Sequence, residues 1–234
     1  MCMTKHYPFL VDNTIQLNKL LSYKEGTYYK FFLIVRAKDK LSYSDSISLM
    51  GGEKIIKYWL VRNEDDYKKY IKEMNFLCSL LPGSRLYFCL DRKDIKKTLR
   101  LLRNEVIDEL DSDNIQRILF ESSVTSKDFS SDRTGLKYLL DIDYDVGNGP
   151  NATFEQVSER ISDFMDKLNK LIKDLKQNGV NIDIVECSTK NGKHLILPRN
   201  FNPQDLKDLC DRYYVDLKTN AATLILMSNT KMTK

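Results

Sequence analysis

The chain has 234 residues, 42% of them hydrophobic, and a net charge of +4, which is enough apolar material for one large domain or two small lobes with a real core. Its longest apolar runs, such as Phe31 to Val35 and Ala221 to Met227, fall well short of the roughly 20 residues a membrane-spanning helix needs. No stretch of signal-peptide length precedes Asp12, Asn13 and Thr14, so neither a membrane nor a secretory route is expected. Cys2, Cys78, Cys89, Cys187 and Cys210 form no C-x-x-C pair, and such scattered cysteines fit reduced thiols in a cytoplasmic protein better than a disulfide framework or a zinc site.

In chain order, the pattern predicts strands over Tyr29 to Val35 and Ile55 to Val61, a helix from Asp65 to Leu80, and a strand from Arg85 to Leu90 after the Pro82-Gly83 break. A basic helix follows over Lys93 to Leu110, with Ile95, Leu99, Leu102, Val106 and Leu110 at helical spacing. The Ser-, Asp- and Asn-rich stretch that comes next reads as a connector or mobile loop, 116–135. Beyond it lie a strand Tyr138 to Tyr144 and a long helix opened by a Thr153/Gln156 capping box and closed at Gly179. Then come strands Ile182 to Cys187 and His194 to Leu197, a helix Pro203 to Tyr213, and one or two extended pieces up to Met227. The fold class expected is α+β, with an N-terminal α/β lobe (1–115) and a C-terminal lobe (136–234) in the β-α-β-β-α-β order of the ferredoxin-like unit.

Chemistry concentrates in the C-terminal lobe. Alternate residues of a strand share a face, so Asp141 and Asp143 project together, away from Tyr138, Leu140, Ile142 and Tyr144. Two adjacent carboxylates on an apolar strand repel each other and call for a cation or a positively charged partner. In a ferredoxin-like order the first and third strands lie side by side, which brings His194, one of only two histidines in the chain, beside that pair. Lys190, Lys193 and the Gly192 backbone are candidates to hold a triphosphate, since a glycine-containing turn lets amide groups approach closely. The alternatives at these residues are ordinary ones: aspartates that cap a strand end, a structural histidine, and turn residues at Ser188 and Thr189.

The Asp141-Ile-Asp143 strand and the later Gly192-Lys193-His194 resemble the first two motifs of the archaeo-eukaryotic-type primases and primase-polymerases. The likeness is greatest to small stand-alone members from bacteriophages and mobile elements, whose setting would be the host cytoplasm. The resemblance implies an α/β unit packed on an RRM-like unit with the active site between them. It implies that Asp141 and Asp143 hold Mg²⁺ or Mn²⁺, that His194 contacts the phosphates of the incoming nucleotide, and that Ser188, Lys190, Gly192 and Lys193 belong to the nucleotide site. A third acid is expected on a late strand, where Asp216 is the only acid available; if Asp216 faced the helices, two carboxylates would remain. The activity implied is metal-dependent nucleotidyl transfer on DNA, a two-metal attack of a hydroxyl on a nucleoside triphosphate. The partners implied are a single-stranded template, nucleoside triphosphates, and a replication helicase or other replication proteins.

Two other functions compete. A non-catalytic relative would use the same sheet to bind single-stranded nucleic acid or nucleotides. A replication-initiation endonuclease would need two histidines around one hydrophobic residue, which Lys193-His194-Leu195 does not provide. Arg85 and Arg92 are candidates to border a nucleic-acid groove. Tyr28, Tyr29 and Trp59 are candidates to stack on bases, with core packing as their default. The cluster Arg92, Lys93, Lys96, Lys97, Arg100 and Arg103 reads either as a solvated helix face or as a surface for a polyanion.

Overall fold

The computed structural model describes residues 7–36, 53–108, 137–144, 152–180, 182–219 and 221–230. The connector at 116–135, the expected turn at Asp145 to Pro150, and Cys2 lie outside them. Within the described residues the chain is α+β, with five helices and two antiparallel sheets.

The first sheet is built from β1 (Phe9–Asp12), β2 (Thr27–Arg36), β3 (Glu53–Val61), β4 (Arg85–Cys89), the two-residue β5 (Lys93–Asp94) and the last strand, β10 (Ala222–Ser228). Their order is β1-β10-β4-β2-β3, with β5 paired to β2. Strand alternation sends Tyr29, Phe31 and Leu33 of β2, Trp59 and Val61 of β3, and Leu86 and Phe88 of β4 to one face. There they pack with Leu17 and Leu20 of α1 (Thr14–Leu20) and Met74 and Cys78 of α2 (Glu64–Leu80). Helix α2 starts where the Asn63 side chain accepts a hydrogen bond from the Asp66 amide at 2.8 Å, and Glu64, Asp65 and Asp66 sit favourably at its positive N-terminal end. Tyr28, Tyr29 and Trp59 are all buried, so packing rather than base stacking is their role. Helix α3 (Ile95–Asp108) follows β5, and its Thr98 hydroxyl meets Tyr28 Oη at 3.1 Å.

The second sheet holds β6 (Lys137–Asp143), β7 (Val185–Ser188), β8 (Gly192–Pro198) and β9 (Asp216–Thr219), in the order β7-β8-β6-β9. One face is covered by α4 (Phe154–Gln177) and α5 (Pro203–Tyr213). Val157, Ile161, Phe164, Leu168 and Ile172 form the buried stripe of α4, packed with Tyr138, Leu140 and Ile142 of β6. The Thr153/Gln156 capping box is present in both directions, and Gly179, at φ 80°, supplies the left-handed turn beyond the last helical residues.

The other face of this sheet turns to the first. Leu139, Val185, Cys187 and Ile196 join the core that holds Leu17, Tyr29 and Ile225. Asn13, 1% exposed, stitches the two together: its side-chain amide donates to Ser188 O at 2.8 Å and Leu224 O at 2.9 Å, and its side-chain oxygen accepts from the Ser188 amide at 2.9 Å. The sequence pattern groups β10 with the second lobe, yet it lies in the first sheet between β1 and β4. The chain therefore crosses between the sheets and returns.

Candidate metal and nucleotide site

Register places the acids. On β6, Asp141 lies directly opposite His194 of β8 and Asp216 of β9, while Asp143 lies opposite Gly192. Directly opposed residues of an antiparallel pair share a face, so Asp141, His194 and Asp216 project together, toward the first sheet. The doubt over which way Asp216 points is removed: it is on the aspartate face, and its carboxylate is exposed. Asp143 is exposed as well.

Asp141 is the tightly held member. His194 Nε2 lies 3.3 Å from Asp141 Oδ1, and the Lys218 ammonium donates to Asp141 Oδ2. Burial by itself raises the pKa of this carboxyl, but the hydrogen bonds and charge of His194 and Lys218 outweigh it and hold it at about 2. Lys218 also lies 3.9 Å from Asp216 Oδ2. His194 is buried, and its Nδ1 meets the Thr223 hydroxyl at 2.9 Å. Both ring nitrogens are thus engaged inside the protein, along a chain that runs from Asp141 through His194 to the first sheet. A contact between His194 and a phosphate requires one of these bonds to open.

The face opens into a cleft of about 460 Å³. The second sheet contributes Asp141, Asp143, Thr189, Lys190, Asn191, His194 and Lys218 to it, and the first sheet contributes Arg36, Arg85, Tyr87 and Leu224. Thr189 Oγ1 is buried there with no hydrogen-bond partner among the described residues, an orphaned hydroxyl of the kind a ligand can satisfy. A second hollow, about 350 Å³, shares Asp141 and Asp143 and adds Asp211, Tyr214 and Asp216. Among the described residues, no three His, Cys, Asp or Glu side chains are drawn together closely enough to hold a metal ion. The place of a cation against Asp141 is taken by Lys218.

The glycine-lysine-histidine segment divides its work differently from expectation. Lys193 is opposite Ile142, on the helix side of the sheet, and its ammonium is bound to Glu186 Oε2 at 3.0 Å, outside the cleft. A Cβ at Gly192 would lie 2.0 Å from the Ile142 carbonyl oxygen, so glycine here lets β8 run against the backbone of β6 beside Asp143. Ser188 takes part through its backbone, bonded to Asn13, and is not among the cleft-lining residues. Lys190 does line the cleft, on the Thr189-Lys190-Asn191 turn closed by the Thr189 amide donating to Gly192 O at 2.9 Å. Arg92 donates to Ser22 O at 2.8 Å, whereas Arg85 is a cleft residue. Lys218 went unassigned in the sequence, although its two-residue offset from Asp216 on a strand puts the two on one face.

No family model, curated protein or solved structure matches this chain.

Proposed function

We propose that this protein is a metal-dependent nucleotidyltransferase acting on DNA, built like the primases and primase-polymerases of archaeo-eukaryotic type. The observation that carries the reading is the set of acids on adjacent strands: Asp141 opposite both His194 and Asp216, with Asp143 one pleat along. These four line the floor of an electropositive cleft or the hollow beside it. The strand order β9-β6-β8-β7 with helices on one face supports reading this lobe as a ferredoxin-like, RRM-like unit and with it the same assignment.

Asp141 and Asp143 would hold Mg²⁺ or Mn²⁺, and Asp216 would join them as the third carboxylate only by a change of side-chain position, since the three are not drawn together as they stand. Their hard oxygens suit those ions, and a bound ion supplies activation of the attacking hydroxyl and neutralisation of charge on the leaving pyrophosphate. Lys218 has to leave Asp141 for that to happen. Arg36, Arg85 and Lys190 give the cleft the positive charge that a triphosphate needs, and the Thr189 hydroxyl is placed to donate to it. His194, tied to Thr223, fixes the orientation of Asp141.

A second reading, a non-catalytic binder of single-stranded nucleic acid or nucleotides, is favoured by one observation: the Lys218 ammonium donates to Asp141 Oδ2 and occupies the position against that carboxylate which a cation would take. Extension of a primed or unprimed single-stranded template separates the two. With nucleoside triphosphates and Mn²⁺ the wild-type protein makes product, and Asp143→Ala loses it by at least about a hundredfold, the scale of removing a group that stabilises the transition state. Template binding without product under any divalent metal would replace the enzyme reading with the binding one.

A further inference from the structure

The first sheet has a second face, opposite the one covered by α1 and α2. Register puts Tyr58 of β3, Phe32 of β2, Tyr87 of β4 and Leu224 of β10 in one row across four adjacent strands on that face. Phe32 and Tyr87 are stacked, with ring centroids 5.4 Å apart and planes 15° from parallel. Tyr58, at the β3 end, is 41% exposed, and Leu60 beside it is 42% exposed. Cations accompany the rings: Lys30 Nζ lies 6.0 Å from the centre of Phe32 and 5.8 Å from that of Tyr58, and the Arg36 guanidinium lies 5.9 Å from the centre of Tyr87. At the positions of β2, β4 and β10 that share this face, the charged residues are Arg36 and the buried Lys30 and Arg85, and β3 sets Glu53 opposite Arg36.

We propose that this row is the seat of a single-stranded nucleic acid, with bases stacked on Tyr58 and its neighbours and the strand led along the sheet into the cleft. Three features point to that occupant. Aromatic rings interleaved with cations are the two elements that bind unpaired strands irrespective of sequence. Cations outnumber acids three to one at these register positions, Lys30, Arg36 and Arg85 against Glu53, an excess complementary to phosphate. The row is also continuous with the candidate site, because Tyr87, Arg36, Arg85 and Leu224 line the cleft that holds Asp141. A core would not require aromatic residues at an exposed strand edge with cations against their rings. The inference rests on the nucleotidyltransferase reading for its direction toward the cleft, while the binding itself does not depend on catalysis.

The test is fluorescence anisotropy of a labelled oligothymidylate with the full chain, run beside the extension assay. Tyr58→Ala is expected to weaken binding about tenfold, the order of one lost base-aromatic stack, while Tyr58→Phe, which keeps the ring, binds like wild type. Arg36→Gln is expected to weaken binding and to flatten its salt dependence by about 0.7 in the log-log slope, one phosphate contact's worth for a single strand. Thermal melts confirm that each variant is folded, and Tyr58, being exposed, tolerates truncation. Oligonucleotide binding that is unchanged in both Tyr58→Ala and Tyr87→Ala overturns the proposal, even if extension activity is found. Loss of self-association, rather than of oligonucleotide binding, in Tyr58→Ala also overturns it and assigns the face to a protein contact. Tyr58-dependent binding without any extension keeps the platform and removes the enzyme reading.

Discussion

Asp141 carries a charge that the fold works to keep. Its carboxyl is depressed to about 2 against the pull of burial, whereas in the unfolded chain it titrates near 3.9, so the folded state gains about 2–3 kcal/mol from the ionised form. The sign follows from the direction: this contribution is fully present above about pH 4 and is lost as the pH falls through the folded value near 2. Urea unfolding at about pH 5 and about pH 2.5 should therefore show a larger acid destabilisation in wild type than in Asp141→Asn. Equal losses in the two proteins would mean that Lys218 and His194 do not hold the carboxylate. Lys218 itself competes with any metal for Asp141, and Lys218→Ala is expected to tighten Mn²⁺ binding about tenfold by calorimetry, the order of one ionic contact near a partly screened carboxylate. Weaker Mn²⁺ binding in that variant would show that the lysine supports the metal rather than standing in for it.

At the scale of elements, Gly192 is where β6 and β8 meet most closely. Gly192→Ala forces the backbone of Ile142 and Asp143 to move and is expected to cost about 2 kcal/mol or more in thermal or denaturant unfolding. Thr153→Ala, at the capping box of α4, should cost only about 1 kcal/mol and leave the distant site intact. Those two positions also show what can be read locally. The capping box and the stripe of α4 repeat over 24 residues, and such periodicity announces a helix without reference to the rest of the chain. The opposition of Asp141 and His194 was legible for a related reason, since the β-α-β-β-α-β order fixes which strands are neighbours. The orientation of Asp216 was not legible, because β9 is four residues long and a strand that short has no pattern to fix its phase. Lys193 was readable but misassigned: it adjoins His194 on a strand, so alternation alone sends it to the opposite face. Strand β1 and helix α1, of four and seven residues, fall below the length at which a period can be seen.

At the scale of the whole molecule, the site exists because two sheets are held in register with each other. Asn13 does this with three hydrogen bonds to backbone groups of Ser188 and Leu224, and its truncation leaves those groups unpaired in a buried place. Asn13→Ala should destabilise the protein by about 2–3 kcal/mol and lower any activity in proportion to the loosened cleft; a stability loss under about 0.5 kcal/mol would show that the lobes do not depend on it. The crossing of β10 into the first sheet couples the lobes further. It could not be read from Ala222 to Ser228, which are apolar enough to suit either sheet, and its partners β1 and β4 are chosen by contacts distant in sequence. The arrangement makes Thr223 the neighbour of His194 and puts Arg36, Arg85 and Tyr87 across from the acids.

The most direct test of this account is a crystal of the protein grown with Mn²⁺ and a non-hydrolysable nucleoside triphosphate, with the metal located by its anomalous scattering. The account predicts manganese bound by Asp141 and Asp143, the Lys218 ammonium withdrawn from Asp141, and the triphosphate in the cleft beside Thr189, Lys190 and Arg85. Manganese elsewhere, with Lys218 still on Asp141 and the triphosphate outside the cleft, would contradict it.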